Sequence, residues 1–372
     1  MRPVTRVVRL SIAVVMVLMV GSHQVVADSQ MATPIASTPD ATGDAPVAIA
    51  FPRDDGPHDA PIEWWYYTGH LTTEEGDRYG FEFVIFKGQR GPLTAYASHF
   101  ALTDHRRRRF QYDQRIVLPT DPATPLPNGG FDLRVHEWSM RGTNGADQLL
   151  ASMPGYAISL QATSEKAPVL HDGDGYIDYG NAGASYYYSR TRQVVEGTLT
   201  VDGQQSKVTG LAWMDHQWGD FATFDLGGWD WYALQLDDGW DVMLYVVNGP
   251  DGQPTITDGS LIAPDGSLRV LEGDDFSIEP SGTWTSSSTG VTYPSGWTIT
   301  IPSADLVLTL QPTLLDQELD TRASTGQIYW EGDVSVGGIR EGQDVTGVGY
   351  VELTGYFLGG DGSSASVDRS IN

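Results

Sequence analysis

The sequence of 372 residues contains no cysteine. Disulfides, thiol catalysis, thiolate metal sites and lipidation on a cysteine are therefore excluded. Disulfides matter most to small domains that bury too little apolar surface, so a chain without them relies on large cores. Basic charge is also scarce: 22 Lys and Arg stand against 48 Asp and Glu, a net charge of −26. Nucleic acid and anionic membrane surfaces reward cationic patches, so neither is expected as a partner. The one basic run, RRRR (106–109), lies between strand-like stretches and reads as a solvated hairpin turn. Helical patterning is missing as well, since no window from 50 to 360 holds a 3.6-residue apolar period of helical length.

The only long apolar run is LSIAVVMVLMV (10–20), which is shorter than the roughly 20 residues of a transmembrane helix. Arg2, Arg6 and Arg9 precede it, and small residues follow up to Val25, Val26 and Ala27. This is the layout of a secretory signal peptide over 1–27, with an uncleaved anchor as the alternative. Residues 28–48 are small, polar and proline-rich and read as a flexible spacer. The expectation is an exported protein without stable membrane insertion.

What is present is short alternating runs rich in Val, Tyr, Thr, Trp and Phe, broken by Gly, Asp, Asn and Pro. YGFEFVIFK (79–87), AYASHFALT (95–103), WDVMLYVV (240–247) and ADLVLTLQP (304–312) are examples. That is the pattern of an all-β sandwich or barrel. Two hairpins recur in order. EWWYYTGHLTTEEGDRYGFEFVIF (63–86) resembles WDWYALQLDDGWDVMLYVV (229–247), and EGTLTVDGQQSKVTGLAWMD (196–215) resembles EGDVSVGGIREGQDVTGVGYVEL (331–353). In the second pair, Val-Thr-Gly leads to an aromatic (Trp213, Tyr350) and then an acid (Asp215, Glu352). Two β domains of one design are expected, 49–222 and 223–362, followed by a tail over 363–372.

The densest chemistry lies in AWMDHQWGDF (212–221). Strand alternation puts Trp213 and Asp215 on one face and His216 and Trp218 on the other. Glu63, Trp65 and Tyr67 share a face of the first strand, and His99 lies on a third. Which face is inner is not fixed by periodicity, because both carry apolar bulk. A strand carboxylate between Trp and His costs several kcal/mol if buried without a partner. Asp215, His216 and Glu63 are therefore the candidate catalytic groups, and Trp65, Tyr67, His99, Trp213 and Trp218 the candidate substrate contacts. No G-x-S-x-G elbow and no phosphate-cradling loop is present, and HEWSM (136–140) lacks the second histidine of H-E-x-x-H. A metal site built from His70, His99 and His216 would depend on the fold to bring them together.

EWWYYTGHL, YASHFALTD, YYYSRTR, AWMDHQWGDF, YWEGDV and GYVELTGY together resemble the AttH-like and carotenoid 1,2-hydratase superfamily, from about 50 to 358. The resemblance implies two consecutive lipocalin-like antiparallel β-barrel domains. It also implies that His216 and Trp218 stand where the hydratases use a histidine and a tryptophan. Tyr232, with Asp230 or Asp237, stands for a further tyrosine and aspartate. The hydratases add water across an isolated C=C without a cofactor, so no cofactor is expected here. The expected ligand is an isoprenoid or other lipophilic small molecule, with hydration or hydrolysis as the reaction. The alternatives are a non-catalytic lipid carrier and a carbohydrate-active protein with paired carboxylates.

Overall fold

The computed structural model describes residues 46–221 and 227–357. The expected leader, most of the spacer, the tail and the centre of the expected junction (222–226) lie outside the described residues.

The first sheet contains β1 (Ile62–Thr73), β2 (Arg78–Arg90), β3 (Leu93–Asp104) and β4 (Arg109–Thr120). It continues with β5 (Phe131–Val135), β6 (Trp138–Thr143), β7 (Ala146–Met153) and β8 (Tyr156–Ser164), and ends with the long hairpin β9 (Gly183–Val201) and β10 (Gln204–Phe221). Their spatial order is 4-3-2-1-10-9-8-7-6-5. The first strand thus pairs with the last, which curls the sheet into a nearly closed barrel.

The second sheet repeats this plan. It uses β11 (Trp229–Leu236), β12 (Asp241–Asn248), β13 (Pro254–Ile262), β14 (Leu268–Glu272), β15 (Ser277–Pro280), β16 (Trp297–Ile301), β17 (Leu306–Pro312), β18 (Ile328–Arg340) and β19 (Gln343–Leu353). The order is 14-13-12-11-19-18-17-16-15, so again the first strand lies beside the last. The recurrent hairpins of the sequence are β1–β2 with β11–β12, and β9–β10 with β18–β19. Register confirms the equivalence: Tyr66 lies opposite Asp215, and Trp231 lies opposite Glu352.

The fold is therefore the expected pair of lipocalin-like antiparallel barrels. Alternation along β1 sends Trp65, Tyr67 and Leu71 into the first core with Phe81, Phe83, Trp138, Met214 and Trp218. The second barrel has its own core of Tyr232, Leu234, Leu244, Trp297 and Trp330. Between them lies a third apolar cluster: Tyr66, Val84, Tyr187, Trp213, Trp231, Tyr245 and Tyr350. It is made of residues that point out of each barrel and into the contact between them.

Buried polar groups fix the docking. Tyr66 donates to Glu331 Oε1 at 2.7 Å, Thr103 donates to Gln317 at 2.7 Å, and His105 meets Asp333 at 2.6 Å. Asp241 receives Lys166 and Arg192, each at 2.7 Å. A side chain on Gly80 would place its Cβ 2.3 Å from Asp333 Oδ2 and 2.6 Å from the Tyr350 hydroxyl. Only glycine lets β2 approach the second barrel this closely.

Candidate active site between the barrels

The pleat of β10 separates the two central residues of the AWMDHQWGDF block. His216 points into the first barrel and Asp215 points out of it. Asp215 thereby reaches a cavity of about 100 Å³ at the contact between the barrels. Tyr66 and Tyr187 from the first barrel and Trp231 and Tyr245 from the second wall it, together with Glu352. Trp64, Phe86, Tyr179 and Trp229 are only partly buried and form its rim. Drug-sized ligands fill pockets of ~300–1,000 Å³, so this volume suits the reacting end of a molecule whose remainder passes the rim.

The two halves contribute in register. Tyr66 and Trp231, each opposite an acid, meet edge-to-face with centroids 5.4 Å apart. Trp64 and Trp229 lie two residues before them, and Asp215 and Glu352 are the matching acids.

The two acids sit in different environments. Asp215 Oδ2 accepts from the Tyr187 hydroxyl at 2.6 Å, and Oδ1 accepts from Trp213 Nε1 at 2.7 Å and from the Ser189 hydroxyl. Burial pushes its carboxyl up to about 6, while hydrogen bonds from Ser189, Tyr187 and Trp213 hold it back. Tyr187 in turn accepts from Trp231 Nε1 at 3.1 Å, and Ser189 meets His171 at 2.6 Å. Burial drives the His171 pKa down to about 3, so that ring is neutral.

Among the described residues, one donor reaches the Glu352 carboxyl: Trp229 Nε1 at 2.8 Å to Oε2. Burial pushes it up to about 7, the Trp229 bond opposes this, and the charge of Asp215 adds to it. Part of its surface faces the cavity, so Glu352 is half-buried by exposed area although the two barrels enclose it. Glu331 lies directly across the ladder from Glu352. Like charges opposite one another destabilise a sheet, and burial, Glu352 and Glu82 push Glu331 well above the carboxylate range. Glu82 is raised the same way, by burial first and Glu352 second, and neither of its oxygens has a hydrogen-bond partner among the described residues. Glu331 and Glu82 hold protons at neutral pH, and Glu352 is about half protonated there.

The remaining sequence candidates divide between two places. Trp213 lies with Asp215 between the barrels. Glu63, Trp65, Tyr67, His216 and Trp218 face the first interior, where Trp65 stacks on His216 at 4.5 Å. His99 is a docking residue, bonded to Tyr329 at 2.7 Å and Ser324 at 3.0 Å. Tyr232 packs in the second core, edge-on to Trp297 at 5.8 Å. It lies on the face of β11 opposite Trp229 and Trp231. His70, His99 and His216 do not come together: His70 lies 3.7 Å from Asp333, while His216 lies 2.9 Å from Glu63. Glu352, Tyr187 and Trp231 were not among the expected site residues. The repeat carried the signal for Glu352, because it aligned that residue with Asp215.

A family profile described as AttH-like matches residues 42–356. The chain belongs to the AttH-like family. Among solved structures, this AttH-like chain is similar to a putative AttH from Nitrosomonas europaea, at 32% identity and a TM-score of 0.75. That match covers 83% of this chain and 98% of the other. It is also similar in fold to kievitone hydratase from Nectria haematococca, at 18% identity and a TM-score of 0.63, over 78% of this chain and 88% of that one. Among characterised sequences, Dehydratase asqC of Emericella nidulans is 27% identical over 216 residues, 55% of the AttH-like chain and 59% of the relative. The match therefore spans less than two thirds of that relative's length.

Proposed function

We propose that this AttH-like protein is a hydro-lyase that adds or removes water across a C=C of a lipophilic small molecule in the cavity between the barrels. The observation that carries the reading is two carboxyls of opposite character in one aromatic-walled cavity. Paired titratable groups whose environments differ mark an acid and a base. Glu352, with one donor and acidic neighbours, is the protonated member. Asp215, with three donors, is the anionic one.

In the hydration direction, the Glu352 proton goes to one alkene carbon and the π pair forms the new C–H bond. The cation left on the other carbon faces the rings of Trp231 and Tyr66, an interaction worth up to ~2 kcal/mol when desolvated. Water attacks that carbon and its spare proton passes to Asp215. Proton exchange with solvent restores both acids, and dehydration is the reverse sequence. The hydratase and dehydratase relatives support this class of reaction. A lipophilic substrate is supported by the aromatic walls.

The test is to extract the protein natively, identify the co-purified small molecule by mass spectrometry, and incubate it with the protein in isotopically labelled water. Label gained at carbon and oxygen supports the reading, and exchange no faster than in buffer overturns it. Export by the 1–27 leader belongs to the same proposal. N-terminal sequencing of the mature protein from the producing cell should begin at Asp28, and a chain that retains Met1 rejects cleavage.

A further inference from the structure

His216, Glu63 and His58 take no part in the cavity between the barrels, yet they converge inside the first. His58 lies on the connection before β1, Glu63 on β1 and His216 on β10, so three separate segments deliver them. Their ligand atoms all lie within 4.8 Å of one another. His58 Nδ1 is 2.7 Å and His216 Nε2 is 2.9 Å from the same oxygen, Glu63 Oε1. The other carboxylate oxygen, Oε2, accepts from Lys87 Nζ at 3.0 Å, and the His58 backbone N–H reaches both oxygens, at 3.0 Å to Oε2 and 3.2 Å to Oε1.

The Tyr188 hydroxyl donates its one proton to Asp55 at 2.8 Å, so His216 Nδ1, 3.3 Å from that hydroxyl, must be the donor. On the other imidazole, Nδ1 lies 2.7 Å from Glu63 Oε1 and Nε2 lies 3.4 Å from Asp54 Oδ1, so a carboxylate faces each ring nitrogen of His58. Both rings thus turn one nitrogen toward the same carboxylate oxygen, and a divalent ion can take the place of the protons that bridge these contacts. An imidazole whose far N–H is held by a carboxylate or hydroxyl is also the usual outer arrangement of a metal-bound histidine.

We propose that His58, Glu63 and His216 form a binding site for a divalent transition-metal ion of the zinc type, distinct from the cavity between the barrels. Two imidazoles and a carboxylate match the donor set of zinc sites with three protein ligands, in which water takes the fourth position. Metal–ligand bonds of ~2.0–2.2 Å place tetrahedral donors roughly 3.3 Å apart, so the present 2.7 and 2.9 Å separations need to widen by about half an ångström. A cleft of about 780 Å³, lined by Pro52, Arg53, Tyr186 and Trp218, leads to His58. His58 is the half-buried member of the set, the other two being buried, and Trp218 stacks on it at 3.8 Å.

The experiment uses the full mature chain stripped with a chelator and titrated with Co²⁺, then with Zn²⁺ in competition. One equivalent of Co²⁺ should produce the visible absorption of a tetrahedral ion, and one equivalent of Zn²⁺ should abolish it. His58→Ala, at a partly exposed loop position, should fold as the parent does by circular dichroism and weaken binding by at least ~100-fold. Asp54→Asn, which removes the charge beside His58 Nε2 and also loosens the Arg53 pair, should fold as the parent does by circular dichroism and weaken binding by ~10–100-fold. No visible band in the parent, or equal affinity in the parent and His58→Ala, overturns the site. Hydration of a ligand between the barrels does not involve these residues, so either proposal can fail without the other.

Discussion

Changing Glu352 to glutamine is expected to lower turnover by ~10²–10⁴-fold, the usual contribution of a placed proton donor. Ligand affinity should stay within a few fold, because the amide keeps the shape and the Trp229 contact but has no acidic proton. Asp215→Asn should cause a loss of similar size, since an amide cannot take the proton released by water. The parent rate of hydration should fall as pH rises through about 7, where Glu352 ionises. Product formation in labelled water, alongside tryptophan quenching for affinity, measures both quantities. Unchanged turnover in Glu352→Gln removes it as the donor. A parent that binds without turnover, with affinity set by Trp231 and Tyr66, identifies a carrier instead.

The second large effect is on stability, and its sign follows from proton linkage. Glu352, Glu331 and Glu82 all have folded-state pKa values raised above the unfolded one. Their protonated forms are the ones compatible with the folded state. The associated stability is present below the unfolded pKa of 4.5 and is lost as pH rises through the folded value, about 7 for Glu352. For Glu352 alone the shift corresponds to about 3 kcal/mol, an upper figure because its carboxyl faces a cavity that water can enter. Glu331 and Glu82, with no such access, add to it. Thermal unfolding from pH 5 to 9 should show a falling midpoint, and the contact between the barrels should loosen first. Glu82→Gln should flatten part of that slope, because it removes one ionisation without changing shape. A midpoint independent of pH, or a slope unchanged in Glu82→Gln, rejects this account.

The barrel fold was legible because period-2 alternation and turn residues are local signals. The repeat was legible because duplication preserved both hairpins that flank each closure. What alternation could not supply is which face of β1 and β10 is inner. Trp65 and Trp64 are equally bulky, and the physical reason is now plain: the second barrel covers much of the outer face of the first. For the same reason Asp215 and His216, adjacent in sequence, belong to different places. His99 read as a ligand contact because histidine on an aromatic strand looks chemical. Its partners, Tyr329 and Ser324, are more than 200 positions away. Tyr232 was carried over by resemblance, and β11 turns it into the second core. His58 carried no signal of its own, since its meeting with Glu63 and His216 depends on a loop.

The matched positions of Asp215 and Glu352 have one further consequence. A two-fold dimer of a single barrel must give both copies of a residue the same surroundings, because symmetry maps one onto the other. Two identical acids in one pocket would then have the same intrinsic proton affinity, and neither residue could be fixed as the donor or the acceptor. Joining the barrels in one chain lifts that constraint. The first copy is free to gather three donors from Ser189, Tyr187 and Trp213. The second is free to set a glutamate, Glu331, where the first has Ser189. Asymmetry in a duplicated chain is then not drift from an ideal but the means by which one pocket can hold a giver and a taker of protons at the same pH.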